Sequence, residues 1–99
     1  GSLSTNKDVL IPDQFDLKQN YPNPFNPSTQ IQYHLPVGGN VSLNVYNMLG
    51  EIVVELDNGF KNSGRHTVNF NGAMLPSGIY FYQLRSGDFV RTKKMTLMK

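Results

Sequence analysis

A chain of 99 residues with a net charge of +2 is one small domain, which buries about 60–65% of the surface its unfolded form exposes. Leu, Ile, Val and Phe supply 28 of the 99 residues, above the roughly 20% below which disorder becomes the better reading, yet so small a core leaves little room for a deep enzymatic cleft. The absence of cysteine excludes disulfides, thiolate metal sites, iron–sulfur clusters and Cys nucleophiles, and no apolar run approaches the roughly 18 residues of a membrane span.

Gly1-Ser2 reads as the scar of tag removal, and the lack of an initiator Met reads as a piece cut from a longer chain. Residues 1–14, polar apart from Val9-Leu10-Ile11, read as a flexible linker ahead of a domain over 15–99. From Phe15 the texture changes to short apolar runs of period two, rich in aromatic and β-branched residues and punctuated by Gly, Pro and Asn. This is the strand pattern. Strands are predicted over residues 15–19, 29–35, 41–47, 52–56, 66–71, 79–85 and 89–98, with the polar stretch 57–64 as a loop. Three prolines keep residues 21–28 out of any central strand, and Ser86-Gly87-Asp88 is a hairpin turn by its residues. No helix longer than about two turns is expected, because the 3.6-residue period is absent. Ile31, Tyr33, Leu43, Val45, Val68, Phe70, Tyr80, Tyr82 and Leu84 are the expected core. Seven strands at spacings of about 8–12 residues predict an all-β protein, a seven-stranded antiparallel immunoglobulin-like β-sandwich.

The charge is unevenly placed. Arg85, Arg91, Lys93, Lys94 and Lys99 face a single anion, Asp88, in the last fifteen residues, whereas the rest of the chain has four cations and six anions. Such a basic end meets an acidic partner or an anionic membrane, or keeps an edge strand soluble. A net charge this small gives no reason to expect nucleic acid.

Candidates for chemistry are few. His34 and His66 are the only bases of the usual kind, and neither has a nucleophile, carboxylate or further ligand at a useful spacing for a triad or a metal site. Glu51 and Glu55, the only glutamates, read as solvated on one strand face. Asp57-Asn58-Gly59 faintly resembles the opening of a calcium loop but lacks its remainder. Tyr33, Tyr46, Phe70, Tyr80, Phe81 and Tyr82 would make a sugar-stacking platform only if exposed, and their phase within strands assigns most of them to the core. No catalytic residue, cofactor site or metal site is expected.

A set of ordered motifs says more. Tyr21-Pro22-Asn23-Pro24-Phe25-Asn26-Pro27-Ser28-Thr29 leads into alternating Ile31 and Tyr33. Then come Val45-Tyr46-Asn47-Met48-Leu49-Gly50-Glu51, Gly64-Arg65-His66, Leu75-Pro76-Ser77-Gly78-Ile79-Tyr80-Phe81-Tyr82 and Lys93-Lys94-Met95. Over about residues 15–99 this order resembles the type A C-terminal sorting domain of the type IX secretion system of Bacteroidetes and related phyla. The resemblance implies a non-catalytic address, carried behind an N-terminally fused cargo domain. Such cargo crosses the inner membrane by an ordinary signal peptide. An outer-membrane translocon recognises it in the periplasm, and a sortase-like cysteine peptidase removes the domain, commonly joining the cargo to anionic lipopolysaccharide at the cell surface. It further implies that Gly78, Tyr80, Lys93, Lys94 and Lys99 take part in recognition, and that the cleavage junction lies within or just before residues 3–14. Pro22, Asn23, Pro24 and Gly50 are family-motif residues whose physical reading is structural. Fixed φ stiffens a crossing between strands, Asn bonds turn backbone, and Gly50 suits a hairpin position where a Cβ would clash. Gly78 eases the chain into a buried strand, and Tyr80 offers an apolar body with a hydroxyl for a backbone partner. The same sandwich also resembles the immunoglobulin-like domain of flagellar hook-capping proteins and surface adhesive modules, which stay in the mature protein. A carbohydrate-binding module is a third reading, and burial of Tyr33, Tyr80 and Tyr82 would remove it.

Overall fold

The period-two alternation resolves into seven strands: β1 (Asp16–Leu17), β2 (Ser28–Leu35), β3 (Gly39–Tyr46), β4 (Ile52–Lys61), β5 (Gly64–Asn71), β6 (Gly78–Ser86) and β7 (Phe89–Leu97). They come from a computed structural model that describes residues 14–99; residues 1–13, nearly all of the scar and linker read above, lie outside the described residues. Two antiparallel sheets result, one of three strands in the order β1-β2-β5 and one of four in the order β4-β3-β6-β7. No helix occurs among the described residues.

The inner faces meet in one core. Ile31, Tyr33 and Leu35 of β2 lie opposite Val41, Leu43 and Val45 of β3 and Tyr80, Tyr82 and Leu84 of β6, with Leu17, Phe25, Phe70, Met95 and Leu97 completing it. Every second residue of these strands is buried and its neighbours are not, as a half-buried antiparallel sheet requires. Of the nine residues expected in the core, eight are buried. Val68 is only half-buried against the cluster, because β5 is the outer strand of the smaller sheet.

Two strands differ from expectation. β4 runs on to Lys61, through the stretch read as a loop, and pairs with β3 as far as Gly39. Its ten residues oppose eight of β3, and the surplus is absorbed at register shifts next to Leu43 and Val45, as bulges allow. A bulged strand breaks strict alternation, which is why the sequence alone reads residues 57–64 as a loop. β1 is shorter than predicted because the chain leaves β2 after Lys18 to cross towards the other sheet. Lys18 N–H still donates to the Gln32 carbonyl (2.9 Å), but its own carbonyl accepts from the Tyr82 hydroxyl (2.7 Å), which accepts in turn from Asn20 N–H (2.8 Å).

Candidate functional site

β7 is an outer strand of the four-stranded sheet, and the sequence determines what each of its faces presents. Met95 and Leu97 are buried, so Lys93 shares their inward phase and is half-buried, whereas Lys94 is exposed on the outer face. The register with β6 sets Lys93 beside Tyr82, Lys94 beside Phe81, Met95 beside Tyr80 and Leu97 beside Gly78. Gly78 and Tyr80 thus sit directly against the terminal strand. Lys99 lies past its end, with its N–H on the Ser77 hydroxyl (3.1 Å) and its ammonium on the Ala73 carbonyl (2.6 Å).

The proline-rich crossing turns out to be part of the same site. An antiparallel strand sends alternate residues' N–H and C=O groups to opposite sides, and on β7 the side away from β6 is covered by residues 19–25. Asn23 Oδ1 accepts from Thr96 N–H (3.0 Å), Phe25 N–H donates to the Thr96 carbonyl (3.0 Å), and Met98 N–H donates to the Phe25 carbonyl (2.9 Å). Gln19 Nε2 donates to the Lys94 carbonyl (2.7 Å). Phe25 pairs with Leu97 as an isolated parallel bridge and is itself 1% exposed, its ring tilted against Phe70 at 5.8 Å. Asn20 anchors the crossing from within, donating to the Pro22 carbonyl (3.1 Å) and the Thr29 hydroxyl (3.1 Å). Proline suits such a strap, since its missing N–H is not needed on the solvent side. Asn20, Phe25 and Gln19 were missed as members of this site. The one available clue was a lone large apolar residue, Phe25, inside a polar proline run.

Gly50 lies elsewhere, in the turn between β3 and β4, two strands from β7. Asn47 organises that turn, its Oδ1 accepting from Leu49 N–H (2.9 Å) and Glu51 N–H (3.0 Å). Gly50 has φ +83° and a Cβ there would meet nothing within 4 Å. The need for glycine is therefore conformational, which corrects the expected clash. Gly78 has φ +151°, again with open space where a Cβ would go. Tyr80 is buried, and its hydroxyl donates to the Pro76 carbonyl (2.7 Å). That bond ties down the 72–77 loop, the same loop that receives Lys99.

The remaining candidates are structural. Tyr33, Tyr80 and Tyr82 are 1%, 6% and 0% exposed, which removes the sugar platform. His66 stacks on Tyr33 (ring centroids 5.1 Å apart) and its Nε2 lies 2.8 Å from the Asn62 carbonyl. Glu51 sits in the turn ahead of β4, accepting from Asn47 Nδ2 (2.8 Å), so it does not share a strand with Glu55. Asp57 faces inward, receiving the Tyr33 hydroxyl (2.7 Å) and the Lys61 ammonium (2.8 Å). Burial pushes its carboxyl up, and the bonds from Lys61 and Tyr33 together outweigh burial and hold it below the usual carboxylate value. Burial, with the bond to Asp57, raises the Tyr33 phenol well above its ordinary value. Burial likewise pushes Tyr82 up to about 12, against a smaller lowering by the bond from Asn20. Among the described residues no three His, Asp or Glu side chains group to hold a metal, and no helix is long and apolar enough to cross a membrane.

The family model described as a secretion system C-terminal sorting domain matches residues 19–98. This chain belongs to that family. The match begins at Gln19, the first residue of the strap to bond β7, and takes in every strand from β2 onward. As a type IX sorting domain, the chain is a secretion signal for export to the cell surface or the extracellular space by the type IX machinery, in a family that is typically non-catalytic. No protein of curated function matches it.

Proposed function

We propose that this sorting domain is a folded, non-catalytic address of immunoglobulin-like form over residues 15–99, read in the periplasm by the outer-membrane type IX translocon. An N-terminally fused cargo crosses with it. A sortase-like cysteine peptidase then cuts upstream of the fold, near residues 3–14, leaving the cargo at the cell surface, in many cases joined to lipopolysaccharide, or free outside the cell.

The observation that carries this reading is the charge state of the terminal strand. The two ion pairs among the described residues, Lys18–Asp16 (3.3 Å) and Lys61–Asp57 (2.8 Å), lie on other strands. Among the described residues no carboxylate lies within ion-pair distance of Arg85, Arg91, Lys93, Lys94 or Lys99, which leaves the positive charge of the β6–β7 edge for a partner. Lys93, Lys94 and Lys99 draw the partner in, and Gly78 and Tyr80 hold the strand and its flanking loop in shape. Because residues 19–25 already occupy the outward backbone groups around Lys94–Met98, the partner reads side chains there in place of adding a strand.

The chain fused behind a signal peptide and a reporter, in a host with the secretion system, tests this. Lys93→Gln with Lys94→Gln should leave the melt nearly unchanged, since Lys94 is exposed, Lys93 is only half-buried, and neither has an ion-pair partner among the described residues, while export of the reporter falls. Export at the parental rate would remove the basic strand from the signal. A reporter exported with the domain still attached would favour a retained adhesive module of the hook-cap kind.

A further inference from the structure

The outer face of the four-stranded sheet carries a row of side chains that the core does not use. Register places Ile52 of β4 beside Tyr46 of β3, Tyr46 beside Phe81 of β6, and Phe81 beside Lys94 of β7. Their chain neighbours Val45, Tyr80, Tyr82 and Met95, which point the opposite way, are buried, so this row faces outward across all four strands. Ile79 extends it along β6. Ile52 and Ile79 are 51% and 37% exposed, and Met48, in the turn above, is 67% exposed. Tyr46, Met48, Phe81, Gln83 and Thr92 are among the residues lining a shallow depression of about 290 Å³. Two half-buried rings at its centre, two exposed isoleucines beside them and a depression among them make one continuous apolar strip on this face. The outer face of the three-stranded sheet, by contrast, presents Gln30, Gln32, Thr67 and Asn69.

We propose that this row is the docking face for a partner protein that presents apolar side chains ringed by carboxylates. Charge selects that partner. The row ends on Lys94, which has no carboxylate within ion-pair distance among the described residues, and Arg85 lies on the same outer face two positions before the hairpin at Gly87. An apolar centre beside unneutralised cations matches an apolar surface with an acidic rim, the arrangement of a buried anchor within a polar border. β1, the first strand, belongs to the other sheet. The inference rests on the sorting reading and adds to it: the terminal strand supplies the charge, and the β3–β6 face supplies the apolar contact.

The test uses the full chain behind a signal peptide and reporter, with Ile52→Thr plus Ile79→Thr, which keep β-branching and hence strand propensity. Export should fall on the order of tenfold or more, with the melt held within about 3 °C of the parent, and Ile52→Val plus Ile79→Val should restore it. If the threonine pair lowers the melt, Met48→Ser decides instead, since it changes only a turn side chain. Where the parent is exported and the variant of unchanged melt leaves at the parental rate, the docking face is wrong and the sorting reading stands. Where the parent itself stays in the periplasm, the sorting reading fails and this inference with it. Vesicles of phosphatidylcholine and phosphatidylglycerol give the remaining check: co-sedimentation of the parent chain, lost in the threonine pair, would assign the face to lipid and overturn a protein partner.

Discussion

At one edge of the sandwich residues 19–25 cross from β1 to lie along β7; at the other, Tyr33 reaches from β2 to Asp57 on β4. Both edges bind the three-stranded sheet to the four-stranded one. The strapped edge does so with neutral hydrogen bonds and a buried ring: Tyr82 bonds Lys18 and Asn20, Asn23 bonds Thr96, and Phe25 fills the core. The opposite edge does so through a charged group, Asp57, held by Lys61 and Tyr33. A neutral tie is indifferent to acid, whereas a carboxylate tie lasts only while it is ionised. The edge beside the proposed signal is thus the one whose closure does not depend on acid pH.

The largest effect should come from breaking the strapped edge at Phe25. Phe25→Ala removes a fully buried ring and should cost about 3–5 kcal/mol in denaturant unfolding, with amide exchange rising at Thr96 and Met98, whose N–H groups meet the strap. A loss no larger than that of an exposed substitution would mean the strap is an ornament on β7. Tyr82→Phe is milder. It strips a partner from Lys18 carbonyl and Asn20 N–H, costing about 1–3 kcal/mol, and it should flatten the alkaline side of the stability curve. Tyr82 has a folded value raised from 10.0 to about 12, so its contribution is full below pH 10 and is lost as pH rises through about 12.

The opposite edge sharpens the contrast at low pH. Asp57 lies below its ordinary value of 3.8 when folded, so its contribution is full above that value and is lost as pH falls through the lower folded one. Asp57→Asn should abolish that acid limb, measured as unfolding free energy against pH, and Tyr33→Phe should shrink it. Phe25→Ala should leave the limb's shape alone while lowering the whole curve. If Asp57→Asn leaves the acid limb unchanged, the carboxylate tie contributes nothing to joining the sheets. Smallest of all, Gly50→Ala should cost about 1 kcal/mol, the penalty for a Cβ at positive φ, without touching either edge.

Much of this was legible in the sequence where the physics is local. Ile31, Tyr33 and Leu35 alternate with Gln32 and His34, and a two-residue period has one reading when β-branched and aromatic residues fill it. Tyr80 was assigned a backbone partner for its hydroxyl and has one in Pro76. What escaped were relations between distant positions. Nothing near Tyr82 announces Lys18 and Asn20, and nothing near Thr96 announces Asn23, 73 residues away. The strap was legible as a stiff crossing but not as the lid on β7. β4 was cut short because a bulge breaks the very period by which strands are recognised, and the polar Asp57 within it is in fact an inward-facing, bonded carboxylate.

Lys93 and Lys94 look interchangeable in the sequence, but the strand gives them different parity. Met95 and Leu97 in the core and the Thr96 bonds to Asn23 and Phe25 pin the frame of β7, so the odd-numbered lysine looks inward and the even-numbered one outward. Inserting or deleting a single residue between Asp88 and Lys93 conserves composition, charge and hydropathy almost entirely. It also forces a choice between keeping the hairpin's pairing and keeping Met95 and Leu97 inside. The address is therefore encoded in odd and even positions as much as in residue types, and two sequences of the same charge and the same motif letters, out of step by one, would spell different surfaces.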